Sequence, residues 1–465
     1  MADEQEAPPK PTFDWLPEGK EPLADGEYDA IVMGTGLKEC VISGLLSVEG
    51  KKVLHIDRNN YYGAECASLN LTNLYEKFKA GDVPNTLGTN RDYNVDLIPK
   101  FVMACGNLTK MLLHSKVTRY LEFKSIGGSY VQAGGKILKV PATPEEALKS
   151  SLMGIFEKRR FRKFIIFVNQ YAQDKPATFE GRDLTVMTMR ELYLNFGLVP
   201  ATHEFISHAM CLELDEVHLD KPALSTVLNL QIYCHSLERY GTSPYIYPIY
   251  GLGGLPEGFS RLCAIHGGTF MLNRDVDEVL IGEDGKAYGV MAGNEMAKAK
   301  MVIGDPSYFP KSMVRATGQV VRSICFLNHP IPNTNDMDSA QIIIPGPQVG
   351  RVNDIFVCSL SSGHNVSAKG VYIAIVSTKM EKGQPEEEVK PGLELLGNIM
   401  QRFTSVATTY EPVGSGKDNN CYISSSFDGT SHFESDCDDM LSLYERVTGK
   451  KLDMTINADS VEADY

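Results

Sequence analysis

The sequence lacks the features on which membrane-spanning, disulfide-stabilised and metal-dependent proteins are usually built. None of its apolar runs reaches the ~18 residues of a transmembrane helix, so no such helix is predicted. Ten cysteines are scattered between Cys40 and Cys437 without a C-x-x-C pair, a pattern typical of reduced thiols in a cytosolic protein. Histidines His203 and His208 do not have the i, i+4 spacing of helical metal ligands, so no metal site is predicted.

The sequence also has fewer basic than acidic residues. The chain has 45 lysine and arginine residues against 59 aspartate and glutamate residues, which gives a formal net charge of −14. Affinity for nucleic acid comes mainly from basic side chains on phosphates, so no nucleic-acid partner is expected. The same deficit argues against permanent residence on an anionic membrane surface, although a local basic patch can still make contact.

One segment, "FEKRRFRKFIIFV" from Phe156, departs from this charge balance. If it is helical, four apolar residues fall on one face, namely Phe161, Phe164, Ile165 and Val168. Four basic residues fall on the other side: Lys158, Arg159, Arg162 and Lys163. A solvated basic face is the ordinary interpretation, and transient contact with anionic lipid headgroups is the alternative.

Familiar catalytic signatures are missing as well. The chain contains no P-loop G-x-x-x-x-G-K-[ST], no nucleophile elbow G-x-S-x-G and no H-E-x-x-H. We therefore predict no catalytic residues and do not expect an enzyme.

What the sequence does contain is a dinucleotide-like turn. The segment "AIVMGTGLKECVISGLL", from Ala30, predicts a strand over 28–33, a turn at Gly34-Thr35-Gly36 and a helix over 37–48. A second strand is predicted over 52–56, and Asp57 follows it where a ribose-binding acid belongs. However, Glu39 stands where the third glycine of G-x-G-x-x-G is expected, and its charge would repel a pyrophosphate. The pattern favours the fold and disfavours a bound cofactor.

The length of 465 residues favours two or three domains. Residues 1–27 are acidic and proline-rich, lack the apolar stretch of a signal peptide and are predicted to be a flexible extension. We expect an α/β domain from 28–140 and 239–440, interrupted by a helical domain over 141–238, and then a helix with an acidic tail over 441–465. The Gly-, Pro- and Tyr-rich stretch 240–259 is predicted to be a long loop that leads to a helix over 256–265.

Several stretches together closely resemble the Rab GDP-dissociation inhibitor family. They are "GTGLKECVISGLLSVEGKKVLHIDRNNYYGAE" from Gly34, "RDYNVDLIPKF" from Arg91, "LMGIFEKRRFRKF" from Leu152, "SPYIYPIYGLG" from Ser243, "NHPIPNTND" from Asn328 and "CDDMLSLYERVTGKKLD" from Cys437. The resemblance implies an FAD-monooxygenase-like α/β fold without a cofactor, with a smaller inserted helical domain. It also implies a monomeric cytoplasmic protein that binds GDP-bound prenylated Rab GTPases, slows GDP release and extracts them transiently from membranes for recycling in vesicular transport.

The same resemblance implies roles for individual residues. A Rab-binding platform is implied for Tyr62, Arg91, Arg261, Thr269 and Met271. A mobile loop that assists membrane extraction is implied for Arg239, Ser243 and Tyr245. The family's platform glutamate is replaced here by Gly254, and we hypothesise that Glu257, about one helical turn away, supplies the missing carboxylate.

An extractor of lipidated proteins must offer an apolar pocket, because each buried CH₂ of the lipid contributes about 0.8 kcal/mol to its membrane anchorage. Helical segments carry the apolar candidates for a geranylgeranyl pocket, which are Met103, Met111, Leu112, Phe205, Ile206 and Met210. The alternative for each of them is ordinary helix-bundle core.

Two other functions remain open at the level of sequence. A Rab escort protein, which presents Rabs to a geranylgeranyltransferase, shares the resembling stretches but is usually longer. An FAD-dependent oxidoreductase shares the fold, and bound flavin would distinguish it by absorption near 450 nm.

Overall fold

Two seven-stranded β-sheets form the frame of the molecule in a computed structural model that describes residues 13–455. The strands in this range are β1 Glu21–Met33, β2 Val53–Ile56, β3 Ser68–Leu69, β4 Val95–Asp96, β5 Val102–Met103, β6 Phe123–Ser125, β7 Gly128–Ala133, β8 Lys136–Lys139, β9 Tyr245–Pro248, β10 Thr269–Met271, β11 Glu278–Ile281, β12 Ala287–Ala292, β13 Glu295–Gly304, β14 Val314–Leu327, β15 Ala340–Ile344, β16 Ile355–Ser361, β17 Tyr372–Lys379, β18 Gln401–Pro412 and β19 Cys421–Ile423.

Helices cover these sheets and form a separate block between residues 144 and 240. They are α1 Leu37–Val48, α2 Leu71–Phe78, α3 Asn107–His114, α4 Pro144–Lys149, α5 Ile155–Gln170, α6 Met189–Asn195, α7 Pro200–Glu204, α8 Leu224–Tyr240, α9 Gly254–Ile265, α10 Pro385–Leu395 and α11 Glu434–Thr448. A π-helical turn, Phe205–Met210, continues from α7. Among the described residues, every helix is too short or too polar to cross a bilayer.

The first sheet has the strand order β10-β2-β1-β13-β12-β11, with β19 also paired to β13. Strands β10, β2, β1, β13 and β19 run parallel, and β12 and β11 complete the sheet as antiparallel neighbours. The buried β1–α1–β2 unit lies at its centre, and α1 packs against α9 on one face of the sheet. The helix predicted over 37–48 is confirmed.

The second sheet has the order β18-β14-β17-β16-β15-β7-β8 and is antiparallel except where β15 pairs with β7. Helix α10 packs on one face through Val389 and Leu393. The other face carries Ile324 and Phe403, which pack against Tyr75 of α2. Two small sheets, β3-β4 and β5-β9-β6, connect the larger ones.

The block α4–α8 shares one core with the first sheet. Phe164 of α5 and Tyr233 of α8 belong to the same buried cluster as Leu108 of α3 and Phe259 of α9. Because this apolar core is continuous, the helical block is fixed to the α/β frame by packing as well as by chain connections.

The N-terminal part of β1 departs from the prediction. The strand begins at Glu21 and not at residue 28, because Glu21 and Pro22 pair with β13 before a bulge. The ring of Phe13 packs so closely on Gly26 that a Cβ there would lie 2.3 Å from it, and Trp15 lies 5.3 Å from the same ring. Part of the stretch assigned to the flexible extension is therefore bound to the sheet. Residues 1–12 of the extension and 456–465 of the acidic tail lie outside the described residues.

The loop prediction for residues 240–259 is wrong. Tyr245–Pro248 forms the buried central strand β9, which pairs with β5 on one side and β6 on the other. The glycines and Pro244 of this stretch lie outside the strand, and Pro248 is its last residue, opposite Phe123. Tyr245 and Tyr247 alternate within the strand, as β-propensity favours. Helix α9 also begins two residues earlier than predicted, at Gly254.

A cluster of buried charges binds the C-terminal helix to the rest of the molecule. Lys100, with 0% of its side chain exposed, lies 2.8 Å from Asp436 of α11 and 2.7 Å from Asp428. Lys38 of α1 lies 3.0 Å from both Asp436 and Asp439. Burial alone would lower the pKa of Lys38, but the two carboxylates outweigh it and hold that pKa above its ordinary value.

Replacing Lys100 with Met should destabilise the protein by about 3–5 kcal/mol, because Asp428 and Asp436 lose a buried counter-charge. We expect a lower midpoint of thermal unfolding, measured by circular dichroism. Lys311→Met, at an exposed position, is the control and should leave the midpoint nearly unchanged. Equal midpoints for the two variants would contradict the role assigned to the cluster.

Candidate functional site

The dinucleotide-like turn joins β1 to α1. Gly34 has φ +95°, a conformation that side-chain-bearing residues rarely adopt. Its carbonyl lies 2.6 Å from Nε2 of His55 on β2, and burial lowers the pKa of His55 to about 4. The imidazole is therefore neutral at physiological pH and donates this hydrogen bond from Nε2. Gly36 then caps α1 in an extended conformation.

Glu39 fills the place where a dinucleotide phosphate would bind. Its side chain is buried and folds back over the N-terminus of α1, so that a Cβ on Gly36 would lie 2.5 Å from Oε2. The Ser424 hydroxyl donates to Oε1 at 2.6 Å. Burial, reinforced by the charge of Asp305, raises the pKa of Glu39 to about 8. The helix N-terminus that binds phosphate in dinucleotide proteins is thus covered by the chain's own carboxyl group.

Asp57, at the ribose position, is also fully engaged by the protein. Its Oδ2 accepts from the Thr35 backbone N–H at 2.6 Å and from the Thr35 hydroxyl at 2.5 Å. Its Oδ1 accepts from the Asn59 backbone at 2.7 Å and from the Asn59 side chain at 2.9 Å. These four hydrogen bonds use the carboxylate oxygens of Asp57 that would otherwise accept from the hydroxyl groups of a ribose. In this fold Asp57 shapes the turn.

A cleft of about 460 Å³ remains beside the turn. Its walls mix charges of both signs, including Arg58, Lys77, Arg322, Glu65 and Asp305. Within residues 13–455, no group of three His, Cys, Asp or Glu side chains is placed to hold a metal ion.

Four residues of the implied platform lie on neighbouring elements: Tyr62 follows β2, Arg261 lies on α9, and Thr269 and Met271 lie on β10, the edge strand of the first sheet. The half-buried Tyr62 ring lies 5.9 Å from Phe270 of β10, with an edge-on geometry. Burial raises the pKa of Tyr62, and the nearby charge of Glu257 contributes to the shift. Strand β10 presents Thr269 and Met271, both partly exposed. The surface formed by Tyr62, Glu257, Arg261, Thr269 and Met271 is called the α9–β10 surface below.

Arg261 extends this surface along α9. It is exposed and its guanidinium lies 4.5 Å from the centre of the Tyr120 ring, a cation–π contact that holds the side chain in place. Arg91, in contrast, is exposed on a separate turn, Asn90–Asp92. That turn contacts the start of α2, where the Asn90 side chain accepts from the Thr72 backbone. No contact among the described residues joins Arg91 to the α9–β10 surface.

Gly254 begins α9, and Glu257 lies on its first turn with its side chain exposed. A Cβ at Gly254 would lie 3.1 Å from Cδ2 of Leu121, so a larger residue requires that flexible side chain to shift. Partial burial raises the pKa of Glu257. The hypothesis that Glu257 replaces the carboxylate missing at position 254 is compatible with this geometry and stays a prediction.

The implied mobile loop is divided between the surface and the interior. Arg239 is exposed in the last turn of α8. Ser243 is buried, with its hydroxyl 2.9 Å from that of Ser129, and Tyr245 is fully buried at the start of β9. Mobility is therefore not expected of Ser243 and Tyr245, because strand pairing and burial hold them. The role of Arg239 in membrane extraction stays a prediction.

The six residues suggested for a lipid pocket lie in a single apolar cluster. They are Met103 of β5, Met111 and Leu112 of α3, and Phe205, Ile206 and Met210 of the π-helical turn. None is more than 6% exposed. In this structure they form closed core, so their use as a lipid site would require the helical block to open.

Sequence reasoning missed a contact that joins the helical block to the second sheet. Nδ1 of His208, in the π-helical turn, lies 2.7 Å from Oδ2 of Asp354, and both side chains are buried. Burial lowers the pKa of His208, but the hydrogen bond and charge of Asp354 outweigh this and raise it. The two residues are far apart in sequence, and no local pattern signals the pairing.

Comparison with known proteins agrees with this fold. A family model described as "GDP dissociation inhibitor" matches residues 24–459. The probable secretory pathway GDP dissociation inhibitor 1 of Schizosaccharomyces pombe is 55% identical over 92% of this chain and 97% of its own length. Rab GDP dissociation inhibitor beta of Rattus norvegicus is 52% identical over 92% of this chain and 96% of its own.

Solved structures give the same result. A crystal structure of a Rab GDI from Plasmodium falciparum superposes with a TM-score of 0.88 at 45% identity, covering 92% of this chain and 99% of that one. An oxidoreductase from Methanosarcina mazei has a TM-score of 0.58 at 13% identity, covering 90% of this chain and 100% of that one, and shares the fold alone.

The molecule thus shares the α/β fold of the oxidoreductase from Methanosarcina mazei, and in its dinucleotide-like turn Glu39 covers the N-terminus of α1. Within that fold class, the chain belongs to the GDP dissociation inhibitor family. The activity in the family's description is regulatory and not catalytic.

Glu39→Gln should make stability less dependent on pH. Because the folded-state pKa of Glu39 is raised to about 8, its contribution to stability is fully present below pH ~4.5 and is lost as pH rises to about 8, by at most about 1.4 kcal/mol per pH unit. The Gln variant lacks this loss, so its unfolding midpoint should rise relative to the wild type between pH 5 and 8. A constant difference across that range would contradict burial of a titrating carboxyl group.

Proposed function

We propose that this protein inhibits GDP dissociation from Rab GTPases by binding their GDP-bound form. The observation that carries the proposal is the family membership of nearly the whole chain, together with an exposed α9–β10 surface on a closed dinucleotide fold. Inhibition of nucleotide release needs no catalytic group. A protein that binds one switch conformation of a GTPase more tightly than the other holds the GTPase in that state.

The α9–β10 surface supports this role through its mixed chemistry. It combines an aromatic ring (Tyr62), a carboxylate (Glu257), a guanidinium held over a ring (Arg261) and the edge of a strand. Aromatic and arginine side chains that are held in place by their neighbours are the usual anchors of protein interfaces. We propose that Arg91 contributes from the separate turn near α2.

We further propose that the partner is a prenylated Rab and that the protein removes it from membranes. The geranylgeranyl lipid would enter the helical segment 141–238, whose apolar cluster adjoins α3. The closed packing of Met103, Met111 and Ile206 means that lipid entry must displace core side chains. The flexible thioether of methionine is suited to such repacking. On this proposal the protein works as a monomer in the cytoplasm and touches membranes only transiently.

Addition of the protein in excess should slow the release of fluorescent mant-GDP from a prenylated Rab by about 5- to 150-fold, the range of typical coupling energies. The release rate is followed after addition of unlabelled nucleotide, with serum albumin in place of the protein as the control. Equal rates would contradict the proposed function. A stronger effect on unprenylated Rab would favour an escort protein instead.

Glu257→Ala should weaken binding to the GDP-bound prenylated Rab by about 1–2 kcal/mol, or roughly 5- to 30-fold. The expectation follows from the single carboxylate on the first turn of α9. Glu283→Ala, an exposed glutamate on the β11–β12 turn, is the matched control. Titration of a labelled Rab gives the dissociation constants, and identical constants for Glu257→Ala and the wild type would remove Glu257 from the surface.

A further inference from the structure

Helix α5 exposes apolar and basic side chains on the same outer face. At 3.6 residues per turn, six apolar or basic residues fall within about one third of its circumference, together with the polar Gln170. The six are Ile155, Phe156, Arg159, Arg162, Lys163 and Ile166, and together they are called the α5 outer face. Ile155 is 70% exposed, Phe156 71% and Ile166 44%. The sequence pattern places apolar residues on the opposite face, so these exposed ones are not required for packing.

The inner face of α5 already provides the contacts that hold the helix. Phe164, Phe167 and Val168 are at most 2% exposed and belong to the main core cluster. A large exposed apolar side chain contributes nothing to this packing, and contiguous exposed apolar groups usually mark an interaction site. The end of α4 lies close to α5, because the carbonyl of Leu148 accepts a hydrogen bond from Lys158, and the Leu148 side chain is itself 74% exposed.

The three cations of the α5 outer face are free to bind an external anion. Within residues 13–455, Arg159, Arg162 and Lys163 have no carboxylate in ion-pair contact. The one acid of α5, Glu157, is buried, accepts from the Val199 backbone at 2.9 Å and pairs with Arg160. A face with three cations and no acidic residue is unexpected on a chain with a net charge of −14.

We propose that the α5 outer face is the surface with which the protein contacts an anionic lipid bilayer. Isoleucine and phenylalanine enter the boundary between headgroups and acyl chains, while arginine and lysine bind the lipid phosphates. A nucleic acid would have no use for the exposed apolar side chains, and the rest of the acidic protein would repel it. The inference rests on the proposed membrane extraction and identifies the part of the molecule that approaches the membrane.

The composition of the α5 outer face makes its contact with the bilayer weak and reversible. Each basic residue near an anionic surface contributes about 1 kcal/mol, which is roughly fivefold in partitioning, and salt screens the attraction. Three cations and three apolar side chains therefore give short-lived contact, whereas the negative charge of the remaining surface opposes permanent attachment.

The main test compares three full-length proteins. They are the wild type, the double variant Arg159→Glu/Lys163→Glu, and a control double variant with the same change of charge, Lys311→Glu/Lys369→Glu, at exposed positions of the α/β part. Co-sedimentation uses vesicles of phosphatidylcholine with and without phosphatidylserine. We expect the α5 reversal to lower partitioning onto phosphatidylserine vesicles about tenfold or more relative to the control, and to slow extraction of prenylated Rab from them. A second variant, Ile155→Ser/Phe156→Ser, should weaken partitioning while retaining its salt dependence.

A parallel measurement of mant-GDP release without vesicles separates this inference from the proposed function. If the wild type does not slow release, the proposed function fails. If the wild type slows release and the α5 reversal partitions and extracts like the control, the membrane surface is wrongly assigned. If the reversal instead weakens Rab binding in the absence of vesicles, the α5 outer face contacts the GTPase, which also overturns the proposal.

Discussion

The placement of α1 depends on two buried lysines and the carboxylates of α11. Lys38 and Lys100 share Asp436, and neither amino group has access to water. Charges removed from water are tolerated only when they are paired, so the N-terminal half of the chain cannot take its final arrangement without the C-terminal helix. Because α9 packs on α1, and β10 follows α9, the position of the α9–β10 surface depends on the same pairing.

The closed turn explains how a cofactor fold serves as a scaffold for protein binding. In a dinucleotide protein the cofactor itself satisfies the N-terminus of the first helix and the acid after the second strand. Here the Glu39 side chain covers the helix N-terminus, and the donors of Thr35 and Asn59 satisfy Asp57 from within. The turn therefore keeps its shape with no ligand bound, and the surfaces outside it are available for recognition.

Local pattern was sufficient for the first βαβ unit, because the turn glycines and the buried helix 37–48 lie within one short segment. It failed for β9, whose four residues are held as a strand by β5 and β6 and not by their own composition. The partner of Glu39, Ser424, stands 385 residues away and leaves no local signal. For the site, the candidate residues came from the family resemblance. Only the fold shows that Arg91 lies apart from the group around Tyr62 and that Ser243 and Tyr245 are buried.

The contact between the rings of Trp15 and Phe13 has a practical consequence for spectroscopy. Trp15 is the only tryptophan in the chain, and its neighbour Phe13 packs on Gly26 at the start of β1. Tryptophan emission consequently reports on the docking of this one N-terminal segment, which begins ahead of the region matched by the family model. A change in that emission on addition of a GTPase without tryptophan would register events at the N-terminal part of β1, independently of any label on the nucleotide.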